Sequence, residues 1–321
     1  MSEPAATDGS TPVPVGFVGV GTMGSPMAAR LVDAGHQVSV HDPSESAIET
    51  LVGRGAFAES SPEAVAEAAD VVMLSLPTPE VVEAVVLGPR GVLAATRLPD
   101  TVIDLSTNSP ETVGRLATAC AGVGVAFVDA PVSGGAAGAL AGTLSVMVGA
   151  DDAVFAEIEP LLSCLGSNVL HVGPSGAGTV AKIVNNQLFL AAGVLVQEAY
   201  VTGQALGMSP AELHNVISAS SAGPYAKLAP LLVGRRFDDV IFRLDIAAKD
   251  LRLAAEAAER AGVDAAMTRA AIDVYDGSLA AGDGPSVFHA TLREIERRAG
   301  LELPAFCLLY TSDAADDSAL V

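Results

Sequence analysis

Three short runs of residues have the types and spacing that chemistry could use. The first, Gly19-x-Gly21-x-x-Gly24, follows an apolar run and opens a helix-like segment. In a strand, turn and helix setting, the first glycine permits the tight turn and the second lets the backbone approach a pyrophosphate. The third lets the helix pack close to the strand. Amides at the start of that helix would hold the phosphates. The bland alternative is a glycine-rich turn with no ligand. Asp42 stands 18 residues after Gly24, at the end of a second strand-like run. A carboxylate there accepts hydrogen bonds from ribose hydroxyls and repels a 2′-phosphate, so NAD is preferred with NADP possible. Arg54 or His41 could soften the preference, and a surface aspartate capping the turn before Pro43 is the competing reading.

The second run, Asp129-Ala-Pro-Val-Ser133-Gly134-Gly135, ends a strand with amides and a hydroxyl able to grip a carboxylate, or is simply a flexible connection. The third places Lys182, Asn185 and Asn186 at i, i+3 and i+4 of a long helix candidate, hence on one face. A desolvated lysine can exchange a proton with a substrate oxygen while an adjacent amide orients that oxygen. A solvated helix lysine, or half of an ion pair, is the other reading, and spacing alone does not choose between them.

These runs need elements to hold them. Strand-like runs at 15–20, 37–41, 71–76, 101–105, 125–128 and 144–148 alternate with helical stretches such as 62–69 and 110–121. Such alternation predicts a mostly parallel sheet covered on both faces. Beyond residue 172 no strand is expected. The turn-rich 173–178 joint leads into helices at 179–207, 210–219, 245–261 and 287–299. The expected fold class is therefore α/β: an N-terminal Rossmann-type doubly wound sheet followed by an all-α C-terminal domain. Its parts are a disordered segment 1–14, an NAD(P)-binding domain 15–173, a helical domain 174–304 and a tail 305–321. The tail lacks the helical period and composition of what precedes it and reads as non-native or disordered.

The chain has 321 residues, 50% of them hydrophobic and 17% charged, which suits two buried cores. With 17 Lys+Arg against 38 Asp+Glu, the formal charge of -21 argues against nucleic acid and anionic membrane surfaces as partners. An anionic substrate would then need locally gathered cations or amides, yet Lys182, Lys227 and Lys249 are the only lysines. Cys120, Cys164 and Cys307 form no paired motif, and the five histidines have no ligand spacing, so no metal is expected. The longest apolar run, 188–196, is too short to span a bilayer, and no signal segment is visible, so the expected location is cytoplasmic.

Taken together the segments resemble the β-hydroxyacid dehydrogenase family over about 15–253. They are Gly16-Phe-Val-Gly-Val-Gly-Thr-Met-Gly-Ser-Pro-Met27, Leu74-Ser-Leu-Pro-Thr-Pro79, Asp104-Leu-Ser-Thr107, the Asp129 to Gly135 run, Gly142-Thr-Leu-Ser-Val-Met-Val-Gly149, Gly176-x-Gly178-x-x-x-Lys182-x-x-Asn185-Asn186, and Lys249-Asp250-Leu251. The resemblance implies that Gly19, Gly21, Thr22, Met23, Gly24, Asp42, Leu76, Pro77 and Thr107 lie along the cofactor. It implies that Ser133, Gly134 and Gly135 hold the substrate carboxylate and that Asn186 orients the substrate. Lys182 would be the proton donor or acceptor, and Lys249 would lie near the nicotinamide. An exposed Lys249 paired with Asp250 or Asp245 is the alternative. The implied reaction is hydride transfer between a small β-hydroxy acid and its semialdehyde, in a homodimer or homotetramer built through the helical domain. Rival readings are an imine reductase-like enzyme, a sugar-acid dehydrogenase of the 6-phosphogluconate type, and a cofactor-binding protein without turnover.

Overall fold

The computed structural model describes residues 12–304, so most of the expected N-terminal segment and the whole 305–321 tail with Cys307 lie outside the described residues. The chain divides within one helix into two compact units, one ending at Lys182 and the other beginning at Ile183. The 173–178 segment, where the sequence puts its domain joint, lies inside the first unit.

In the first unit nine strands form one sheet. They are β1 (Pro14–Val18), β2 (Gln37–His41), β3 (Phe57–Ala58), β4 (Val71–Leu74), β5 (Thr101–Asp104), β6 (Ala126–Asp129), β7 (Val132–Ser133), β8 (Ser145–Gly149) and β9 (Asn168–Gly173). Their order is β3-β2-β1-β4-β5-β6-β8-β7, with β9 paired to β8. Strands β3 to β6 pair in parallel, whereas β8 runs antiparallel to both β6 and β7. The order reverses between β1 and β4, the switch point at which doubly wound sheets bind their ligands. The sheet starts at Pro14, inside the segment expected to be unstructured. Strand β9 is missing from the expected runs, although it ends at Gly173, where the strands were expected to stop: its exposed Asn168, Leu170 and Val172 alternate with the half-buried Val169, His171 and Gly173 beside β8.

Alternation along each strand sends successive side chains to opposite layers. Val15, Phe17, Met73, Ile103 and Val128 enter one core, while Val18, Val72, Leu74, Val102 and Phe127 enter the other. The helices that cover these layers are α1 (Gly24–Asp33), α2 (Glu45–Val52), α3 (Pro62–Glu67), α4 (Pro79–Leu87), α5 (Pro110–Ala121), α6 (Gly135–Ala141) and α7 (Asp152–Ser163). Three of them start with one device, a Ser or Thr cap followed by Pro and Glu. Ser61, Thr78 and Ser109 accept from the amides of Ala64, Val81 and Thr112 at 3.2, 3.4 and 3.1 Å. Each cap contributes about 1 kcal/mol.

Helix α8 (Ala177–Ala205) runs through the division. The second unit continues with α9 (Pro210–Ser218), α10 (Gly223–Ala226), α11 (Ala229–Leu232), α12 (Leu244–Arg260), α13 (Ala266–Ala280) and α14 (Thr291–Ala299). Its core joins Leu190, Val194 and Tyr200 of α8 to Leu251, Tyr275 and Leu292. Within the 29-residue α8 the most apolar 18-residue stretch has a mean hydropathy of 1.4, so the helix is long and apolar enough to cross a membrane by length and composition alone. Its buried flank serves the helical core, and 44% of its most apolar stretch is buried.

Candidate active site

The three glycines of the first run have three distinct reasons to be glycine. Gly19 has φ +90°, and a Cβ there would lie 2.3 Å from the Ser75 carbonyl oxygen and 2.8 Å from Leu76 Cδ2. Gly24 tolerates no Cβ because one would stand 1.9 Å from the Gly19 oxygen, so α1 lies flush against the strand end. A Cβ on Gly21 would meet nothing within 4 Å. Packing therefore does not require a glycine at 21. The open space above its backbone is what a pyrophosphate approaching the amides needs, and the turn fits a dinucleotide.

Asp42, one residue beyond β2, closes this turn. Val20 donates its amide to Asp42 Oδ2 at 2.8 Å, and Ser44 donates to Oδ1 at 2.8 Å. The carboxylate is thus both the turn-capping aspartate of the bland reading and a carboxylate held at the phosphate loop, with a lone pair left on each oxygen. The two groups able to soften its preference are engaged elsewhere. Arg54 Nη2 pairs with Asp33 at 2.6 Å, and the His41 ring meets the Glu59 carbonyl at 3.0 Å.

The loops after β4 and β5 are tied to each other, because Leu76 donates its amide to Ser106 Oγ at 2.9 Å. Leu76 thereby sits against Gly19, and Thr107 is held half-buried between Ser106 and Asn108. Asp104 organises that loop: it accepts from the Ser106 amide and from Asn108 Nδ2, both at 3.0 Å. Its complete burial pushes the carboxyl above the usual range, and these bonds pull it partly back. Thr22 and Pro77 are exposed, and Met23 is half-buried at the start of α1. Ser133 closes β7, and Gly134 and Gly135 follow with φ +127° and +61°, opening α6.

Four residues before Ser133, the fully buried Asp129 reaches the third run. Gly176 and Thr179 donate their amides to its two carboxylate oxygens at 2.6 and 2.7 Å. Burial raises its carboxyl, and the two amides oppose that. Lys182, one turn further along α8, is 9% exposed, which disposes of the solvated-lysine reading.

In the second unit, Asn186 is 4% exposed and donates Nδ2 to Asp250 Oδ2 at 2.7 Å, while Asn185 donates to Asn186 Oδ1 at 3.1 Å. Lys249 Nζ lies 2.9 Å from Asp250 Oδ1. The pairing partner foreseen for Lys249 is therefore present, but the lysine is not an exposed surface residue: its side chain is 19% accessible and its partner 2%. Asp250 fixes both an amide and an ammonium. That role had no signal in the sequence beyond adjacency to Lys249, because Asn186 is 64 residues away.

Comparison with known proteins fits this geometry. Residues 14–173 match the family described as the NAD binding domain of 6-phosphogluconate dehydrogenase. Residues 176–295 match the family described as NAD-binding of NADP-dependent 3-hydroxyisobutyrate dehydrogenase. The 2-(hydroxymethyl)glutarate dehydrogenase of Eubacterium barkeri is 38% identical over 294 residues, covering 91% of this chain and 97% of that one. The chain belongs to the β-hydroxyacid dehydrogenase family. The NAD-dependent L-serine dehydrogenase of Pseudomonas aeruginosa is 37% identical over 81% of this chain and 90% of its own length. Among solved structures, the 3-hydroxyisobutyrate dehydrogenase of Mycobacterium tuberculosis with L-serine superposes with a TM-score of 0.78 at 31% identity, covering 88% of this chain and 99% of that one. The Rossmann-plus-helical architecture and an NAD(P)-dependent hydroxyacid oxidoreductase, both expected from the sequence, hold at this level.

Proposed function

We propose that the enzyme interconverts a small β-hydroxy acid and its semialdehyde with Lys182 as general acid and base, NAD as the preferred cofactor, and Ser133, Gly134 and Gly135 as the carboxylate grip. When bound, the nicotinamide supplies the hydride chemistry. The chain's residues do the rest. Gly19, Gly21, Thr22, Met23 and Gly24, with Leu76, Pro77 and Thr107, line the cofactor. Asn186, fixed through Asp250, orients the substrate oxygen, and Lys182 exchanges a proton with it as the carbon is oxidised or reduced. Lys249, tethered by Asp250, contributes positive charge near the nicotinamide.

The observation that carries the reading is the buried Lys182 ammonium, set one turn beyond a capped helix start in a chain with only three lysines. Asp42 beside the phosphate loop, with Arg54 and His41 engaged elsewhere, supports NAD over NADP. The relatives' names support hydroxy acids bearing a CH2OH group next to a carboxylate-bearing carbon: hydroxyisobutyrate, serine and hydroxymethylglutarate. The bacterial relatives support a cytoplasmic location. The exposed Val184, Leu188 and Leu195 on α8 support a homodimer or homotetramer formed through the helical unit.

The test is a panel of 3-hydroxyisobutyrate, L-serine, 2-(hydroxymethyl)glutarate and tartronate semialdehyde, run with NAD(H) and NADP(H) and followed by nicotinamide absorbance. Turnover of at least one member, with better kcat/KM for NAD, is expected. NADH binding without turnover of any member would leave only a cofactor-binding role.

A further inference from the structure

The start of α8 has no cap of its own. The helix opens at Ala177, whose amide donates to the Pro174 carbonyl at 2.9 Å, and the residue before it, Gly176 at φ +95°, has no side chain to cap the amides that follow. The acceptor comes instead from β6. Asp129, 47 and 50 residues away in sequence and 1% exposed, takes the Gly176 amide on one oxygen and the Thr179 amide on the other. Around that bond there is no slack. A Cβ on Gly178 would stand 2.2 Å from the Met147 oxygen and 2.5 Å from the Asp129 oxygen, and a Cβ on Gly149 would stand 2.5 Å from Asp129 Oδ1. The first turn of α8 therefore rests directly on the ends of β6 and β8, with a carboxylate as the fastening.

From this we infer that Asp129 is a positioning residue for Lys182, setting the lysine by fastening the first turn of the helix that carries it. The inference rests on the reading of Lys182 given above. Lys182 follows Thr179 by three residues on the helix Asp129 holds. A buried carboxylate has a large desolvation cost, and helix amides with their positive dipole end are the partners that offset it, so the pair is mutually dependent. Loss of one bond would let the first turn shift against the strand ends, and a small misplacement of a reacting group costs large factors in rate.

Asp129→Asn keeps the shape but turns one acceptor into a donor facing an amide N–H. With the fastest panel substrate among 3-hydroxyisobutyrate, L-serine and 2-(hydroxymethyl)glutarate, kcat should fall by about ten- to a hundredfold, the size of one charge-assisted hydrogen bond. The dissociation constant for NADH should stay at the parent value, because the glycine turn is held by Asp42 and not by Asp129. In a Lys182→Ala background the same substitution should cause no further loss, since its effect passes through the lysine. Should Asp129→Asn fail to fold, Thr179→Pro removes one of the two donors in the first helical turn, where proline is tolerated, and should lower kcat in the same direction. The inference is overturned if Asp129→Asn matches the parent kcat while Lys182→Ala does not, or if its loss multiplies that of Lys182→Ala. Parent-like turnover by Lys182→Ala overturns the reading of the lysine itself, and the inference with it.

Discussion

Gly21 and Gly24 belong to one motif, yet alanine at the two positions should damage different properties. At Gly21 the backbone φ lies outside the left-handed region and a Cβ meets no atom within 4 Å. Gly21→Ala should therefore change folding stability by no more than about 1 kcal/mol, with a slight gain from the stiffer unfolded chain. What it fills is the space above the turn. Losing close approach to one charged phosphate oxygen costs about 1.5–3 kcal/mol, so the NADH dissociation constant should rise roughly ten- to a hundredfold. At Gly24 a Cβ would lie 1.9 Å from the Gly19 carbonyl oxygen and 2.9 Å from its carbon, both backbone atoms that cannot swing aside. Helix α1 must then move off the strand end, at a cost of about 1–3 kcal/mol or more, and the unliganded protein should melt several degrees lower. Thermal melting of the ligand-free proteins and calorimetric titration with NADH measure the two effects separately. Parent-like NADH affinity in Gly21→Ala, or a melting loss in Gly21→Ala equal to that in Gly24→Ala, would refute the division of roles.

Two further outcomes follow from the same geometry. Asp42→Asn combined with an arginine at Ser44 should move kcat/KM toward NADP, because it removes the repelling charge and adds a phosphate partner; an unchanged NADP/NAD ratio would take Asp42 out of the ribose site. His289 is 1% exposed, and burial lowers its pKa from 6.5 to about 4, so the folded protein keeps it neutral where the unfolded chain charges it. Its contribution is therefore fully present above pH 6.5 and is lost as pH falls toward 4, at about 1.4 kcal/mol per pH unit and about 3 kcal/mol in all. His289→Gln should flatten the stability-against-pH curve over that window in urea titrations, and curves parallel to the parent's would contradict it.

Much of the fold was legible because its signals are local. The glycine turn, the exact bounds of β2 and α5, and the alternation that fills two cores can be read from neighbours in sequence. Helix α4 was harder: Pro79-Glu-Val-Val-Glu-Ala-Val-Val-Leu87 is rich in β-branched residues, and only the Thr78 cap and Pro79 turn it into a helix. The site was legible as separate runs and not as an assembly. Nothing near Asp129 says that it caps a helix 47 residues later, and nothing near Asn186 says that Asp250 will hold its amide. Both are tertiary choices made by burial, since a carboxylate leaving water must find donors wherever the fold brings them. The same reason explains Lys249, whose ion pair was foreseen while its burial was not.

The measurement that bears most directly on the enzyme's proposed chemistry is steady-state turnover by Lys182→Ala, paired with its NADH affinity. Loss of about two to four orders of magnitude in kcat, with NADH bound as tightly as by the parent, is the expected result. Parent-like oxidation of the same hydroxy acid would contradict it and return the proton transfer to another group.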